Sequence, residues 1–191
     1  LPLAFFCVGL LADLIRDAAS LAHMQPEGRV TPRSVARAML YDGYAVLAMT
    51  RVRQFARRWH IPGVNRALRL AQMTFYNIEI SSDARLGEGV CFVHTNGVVV
   101  GGDARIGART LLLGGITVGN VGNRGYPTIG EDVVIGAGAR VLGPVTIGPR
   151  AQIGANAVVL SDVPAGATAV GVPAIVRTRG AEAAEAPKDG E

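Results

Sequence analysis

The sequence predicts a mainly β fold, a parallel β-helix of hexapeptide repeats with an N-terminal helical segment. An apolar residue recurs every six positions in the series Ile80, Leu86, Phe92, Val100, Ile106, Leu112, Val118, Ile129, Ile135, Val141, Ile147, Ile153 and Val159, whose step breaks only twice. Gly, Ala or Ser usually stands beside these residues. Aromatics are scarce at 5% while Gly numbers 25, as expected for a core of stacked Val and Ile whose corners need small residues. An amphipathic helix repeats every 3.6 residues and a strand every 2, so neither produces a period of six. A coil that spends six residues on each side of a three-sided prism does.

Taken in chain order, residues 1–24 read as an apolar helix, and residues 25–32 carry the Pro, Gly and polar residues of a connection. A second helix is expected to start at Thr31 or Pro32, both good N-terminal residues, and to run to about His60. Ile61-Pro62-Gly63 then interrupts it, and a shorter helix from Val64 to Thr74 leads into a first strand at Tyr76. The domains read as a helical segment over 1–75, a β-helix over 76–177 and a disordered tail over 178–191, where the six-residue register is lost.

The 191 residues suffice for one well-buried domain. A formal charge of +4 suits acidic small molecules as readily as nucleic acid, and no nucleic-acid motif accompanies it. Cys7 and Cys91 form no disulfide framework and no zinc spacing, so a reducing, cytoplasmic setting and no metal are expected. The apolar opening is cut by Asp13, Arg16 and Asp17, well short of the ~20 residues of a membrane span. It has neither the basic leader nor the cleavage site of a signal peptide. Arg51, Arg53, Arg57, Arg58, Arg66 and Arg69 make the helical segment basic. That pattern has two readings, a solvated face packed on the coil and peripheral contact with an anionic membrane surface or acceptor.

The register breaks are where a solenoid expels loops, and loops carry sites. The first, between Phe92 and Val100, contains His94-Thr95-Asn96-Gly97; the second, between Val118 and Ile129, runs from Gly119 to Pro127. A three-sided coil puts them near neighbouring edges, on one subunit or across a subunit boundary.

The motifs over 76–177 then resemble a known family. Ser81-Ser82-Asp83-Ala84-Arg85-Leu86-Gly87-Glu88-Gly89-Val90, His94-Thr95-Asn96-Gly97, Ile135-Gly136-Ala137-Gly138-Ala139 and Gly171-Val172-Pro173-Ala174 closely resemble the serine acetyltransferases and related hexapeptide-repeat acyltransferases. The resemblance implies a left-handed coil, acetyl-CoA as donor, and active sites between neighbouring coils of a homotrimer. It makes His94 the general base, since an alcohol must lose its proton as it attacks a thioester. Glu79 stands in for the carboxylate that orients this histidine. Backbone N–H groups near Gly119 are expected to hold the oxyanion against the bound donor. Ala137 and Ala155 match positions beside CoA, although every hexapeptide also needs such corner residues. Arg177, with Arg179, could meet a CoA phosphate. Cys91 reads as a buried thiol rather than a nucleophile, and His23 and His60 match no motif.

The departures bear on the acceptor. Where the serine enzymes carry Asp before the base, this chain has Val93, and in place of their Arg-His-Pro it has Gly125-Tyr126-Pro127. Arg124, Tyr126 and Asn96 are the candidate substrate contacts. The compact basic lead-in looks more like that of enzymes of polysaccharide biosynthesis. The leading expectation is therefore acetylation of a sugar hydroxyl in a polysaccharide or its precursor. The alternatives are serine O-acetylation and a non-catalytic assembly role for the solenoid.

Overall fold

The structure is a computed structural model describing residues 3–24 and 29–178, with side chains from residue 8 onward. Its β region is a three-faced coil. On the first face β1 (Glu79–Ile80), β4 (Val99–Val100), β7 (Thr117–Gly119), β10 (Arg140–Leu142) and β13 (Val158–Val159) stack in order. The second face is β2 (Arg85–Leu86), β5 (Arg105–Ile106), β8 (Thr128–Ile129) and β11 (Thr146–Ile147). The third is β3 (Cys91–Phe92), β6 (Leu111–Leu112), β9 (Val134–Ile135), β12 (Gln152–Ile153) and β14 (Thr168–Val170), all parallel. An antiparallel strand, β15 (Ile175–Arg177), closes this last sheet.

Every member of the six-residue series is at most 7% exposed, so the period read from sequence is the inward face of the prism. At about 1.5–3 kcal/mol for each fully buried aliphatic side chain, this column dominates the stability of the coil. At one corner the chain turns through Gly97, Gly115 and Gly138, with φ of 70°, 71° and 74°, a region that side chains with a Cβ occupy at a cost. The tail expected over 178–191 lies, apart from Thr178, outside the described residues.

The helical segment differs from expectation in two respects. The single helix expected over 31–60 is two, α2 (Pro32–Ala38) and α3 (Asp42–Arg58), following α1 (Leu3–His23). Thr31 and Ser34 form a capping box at the start of α2, whose Ala38 packs with Leu21 and Ala22 of α1. Helix α3 must instead lie on the coil: a Cβ on Gly43 would sit 2.3 Å from the Phe92 carbonyl oxygen. The chain bends at Met39-Leu40-Tyr41 to serve both surfaces. The fourth helix, α4 (Val64–Tyr76), ends where Asn77 adopts left-handed geometry (φ 48°). Tyr76 therefore closes a helix, and the first strand starts at Glu79.

The basic face of α3 has a structural task. Within the coil, N–H groups of each turn donate to carbonyls of the next, as from Glu79 to Val98 and from Gly101 to Val118. The first turn consequently presents carbonyls with no preceding turn to satisfy them, a cost unless they are capped. Arg53 donates to Ile80 at 2.8 Å, Gln54 to Ala84 at 2.7 Å, and Arg51 to Leu86 and Gly87 at 2.8 Å each. Asp17, 1% exposed, orients Arg51 from α1 and accepts from the Gly89 N–H. Arg57 pairs with Asp83. The helical segment is thus the polar cap a solenoid end requires, and three of the arginines considered for a membrane surface are spent on it. Among the described residues no helix is long and apolar enough to cross a membrane.

Candidate active site

The first register break lies at the corner between the third and first faces. Backbone bonds hold it from both sides: the Gly97 N–H donates to Asn77, and the Gly115 N–H donates to Asn96 at 2.8 Å. The Asn77 side chain also donates to that of Asn96. His94 projects from this loop, exposed, and its Cβ rests over Gly114, where an added Cβ would come within 3.2 Å. The imidazole makes no side-chain hydrogen bond among the described residues.

Below Asn96 the same corner position is filled by Gly114, Ala137 and Ala155 in the following turns. The ladder is continuous: Gly138 N–H to Gly114, and Asn156 N–H to Ala137. Ala137 and Ala155 are exposed. A strip of small residues therefore runs from His94 along the prism edge for about 14 Å, at roughly 4.8 Å per turn. Such a strip leaves room for a long, narrow chain along this edge.

Glu79 starts at this corner, two residues beyond Asn77, but its carboxylate is paired with Arg69 from α4. No Glu79–His94 hydrogen bond is formed, so the expected dyad is not assembled in this structure. The partner of Glu79 is instead the Arg69 guanidinium. Arg69 was invisible to motif reading because it lies a helix earlier, with no spacing that ties it to Glu79.

The second break emerges at the other corner of the first face. Gly119 closes β7 opposite Leu142, and its carbonyl accepts from the Gly143 N–H at 2.9 Å. Tyr126 folds back over the preceding turn: a Cβ on Gly102 would fall 1.9 Å from its Cζ, and one on Gly101 would fall 3.1 Å from its ring. Its ring thus fills space left by two glycines and closes the prism edge. Arg124 is exposed. His94 and the Gly119–Tyr126 loop consequently flank one face from opposite corners rather than converging within the chain.

Arg177 pairs with Thr168 across β14 and β15, whereas it is Val170, opposite Ile175, that ends nearer the His94 corner. The strand therefore carries Arg177 away from the Ala155 end of the strip. Arg179 lies outside the described residues. Arg140, absent from the sequence reading, borders the strip and donates to the Gly115 carbonyl and the Thr117 hydroxyl. Cys91 packs under the helices, and burial pushes its thiol pKa up, contrary to what a nucleophile needs.

Comparison with known proteins adds independent findings. The family pattern described as "Bacterial transferase hexapeptide (six repeats)" matches residues 126–161. The chain is 39% identical over 144 residues to the serine acetyltransferase of Helicobacter pylori (strain J99 / ATCC 700824), covering 74% of this chain and 84% of the relative. It is 38% identical over 138 residues to that of Synechococcus elongatus, covering 71% of this chain but 57% of the longer relative. A serine acetyltransferase solved in complex with CoA superposes with a TM-score of 0.77 at 30% identity, covering 88% of this chain and 69% of the other. Soybean serine acetyltransferase complexed with serine gives 0.76 at 34%, over 88% and 69%. These relatives do not support placement in the polysaccharide branch; they bear the name of the alternative acceptor. The chain belongs to the serine acetyltransferase family of left-handed β-helix, hexapeptide-repeat O-acetyltransferases.

Proposed function

We propose that this chain transfers the acetyl group of acetyl-CoA to the hydroxyl of a small acceptor, with L-serine the first candidate, and that His94 is the general base. One observation carries the reading: His94 stands exposed at the head of a strip of small residues, Gly114, Ala137 and Ala155, that suits the pantetheine arm. In the reaction, the acceptor oxygen attacks the thioester carbonyl while its proton passes to the imidazole. The tetrahedral intermediate then collapses, the carbon–sulfur bond breaks, and the imidazolium returns the proton to the leaving thiolate. Glu79, once released from Arg69, is the group that would steady the imidazolium.

Gly119 lies across the first face from His94 in its own chain. Its backbone would serve as oxyanion donor only to the His94 of a neighbouring copy, which supports a homotrimer with sites shared between subunits. A cytoplasmic location fits an enzyme that draws on acetyl-CoA.

A sugar hydroxyl is the second reading, favoured by Val93, 45% exposed, where a carboxylate would hold the serine ammonium, and by Tyr126 in place of a cation. A site whose polar partners are missing rejects serine by a large factor. Thiol release from acetyl-CoA with L-serine against a panel of monosaccharides separates the two. Replacing His94 with Ala should lower acceptor-dependent thiol release by about 10²–10⁴-fold while CoA binding persists; near-normal turnover would refute the assignment. Absence of CoA binding by the wild type would instead favour the non-catalytic solenoid.

A further inference from the structure

We propose that the cavity between α3, α4 and the first face is an oxyanion pocket, receiving a carboxylate or phosphate group of the acceptor. The acceptor role rests on the reading of His94 above, while the anion site itself does not. The cavity measures about 430 Å³ and brings together three arginines, Arg53, Arg57 and Arg69, and two carboxylates, Glu79 and Asp83, with Asn65 and Ser82, over a floor of Val99 to Gly102. It therefore occupies the stretch of the first face between the His94 corner and Tyr126.

Its charge is unbalanced. Arg57 faces Asp83 and Arg69 faces Glu79, which leaves Arg53 without a carboxylate. Arg53 is 2% exposed, and its hydrogen bonds run from Nε to Asn65 and from Nη1 to Gln72 and Ile80, all neutral acceptors. Its Nη2 has no protein acceptor among the described residues. A guanidinium stays charged at any physiological pH, and a buried charge with no counter-ion is costly. Burial, with the nearby Arg69 charge, pulls the Arg53 pKa below the usual arginine range, against a smaller opposing effect of Glu79. An incoming oxyanion would supply the missing charge and accept the free Nη2 donor. It would also compete with Glu79 for Arg69, freeing that carboxylate to turn toward His94.

The probe is inorganic phosphate, titrated at constant ionic strength into the ligand-free full chain, with binding followed by calorimetry. No acetyl-CoA or turnover is involved, so a failure here is distinct from a failure of the catalytic reading. Saturable binding is expected, weakened about tenfold or more in Arg53→Gln and in Arg69→Gln and unchanged in Arg33→Gln, on the exposed surface of α2. Because Arg53 also caps Ile80, Arg69→Gln, whose side chain is half exposed, carries the test if Arg53→Gln does not fold. Absent or non-saturable binding, or equal affinity in wild type and Arg69→Gln, would overturn the proposal. A parallel titration with acetate distinguishes a carboxylate from a phosphate preference.

Discussion

The ring of Tyr126 lies across Gly102, so close that a Cβ there would fall 1.9 Å from Cζ. The glycine also has a φ of 38°, which disfavours a side chain on its own account. Gly102→Ala should therefore destabilise the coil by about 1–3 kcal/mol through overpacking. Adding Tyr126→Ala should recover much of this, giving a coupling of at least about 1 kcal/mol in a double-mutant cycle. Additive effects in urea denaturation would show that the ring does not depend on this glycine.

The strip of small residues makes a prediction about the donor. Ala137→Leu and Ala155→Leu place bulk on exposed positions of the edge, so stability should change by no more than about 0.5 kcal/mol. CoA affinity should fall about tenfold or more, equal to ~1.4 kcal/mol. Unchanged affinity by calorimetry would put the donor elsewhere.

The cap on the first turn depends on a buried ion pair. Asp17 binds Arg51 and the Gly89 N–H together, with side-chain exposures of 1% and 15% for the acid and the base. Removing the acid leaves a half-buried guanidinium without its counter-ion, so Asp17→Ala should cost about 3–5 kcal/mol. Asp17→Asn keeps an acceptor for Gly89 and should cost less. If the two variants have equal urea midpoints, the charge is not what holds the cap.

Burial raises the pKa of the Cys91 thiol by disfavouring the thiolate. A group whose folded pKa lies above its unfolded one contributes stability below the unfolded value, and this is lost as pH rises through the folded value. Cys91→Ala should therefore reduce the loss of stability above pH ~8.5. In peptide-mapped alkylation near that pH, Cys91 should react more slowly in the native protein than in urea; equal rates would contradict its burial.

Much of the fold could be read directly from the chain, because one residue in six must enter a prism whose geometry repeats. Ile80 through Val159 needed no tertiary information to be placed inside, and the two interruptions of their step located both loops. The helical segment was less legible. Nothing local in Met39-Leu40-Tyr41 announces a bend, since its cause is the demand that Gly43 meet the Phe92 carbonyl while Ala38 meets α1.

The site divides along the same line. Sequence by itself identified His94, Ala137, Ala155 and the loop from Gly119 to Pro127, because motif and register are properties of consecutive residues. Tertiary structure decided their relations. It joined Ala137 and Ala155 to His94 along one edge and set Gly119 at the opposite corner. It gave Glu79 to Arg69, and it turned Arg51 and Arg53 from a basic surface into caps for orphan carbonyls. Those outcomes depend on which groups meet across ten to more than seventy residues of chain, where distance, burial and competition for a partner decide, and none of these is written in a local pattern.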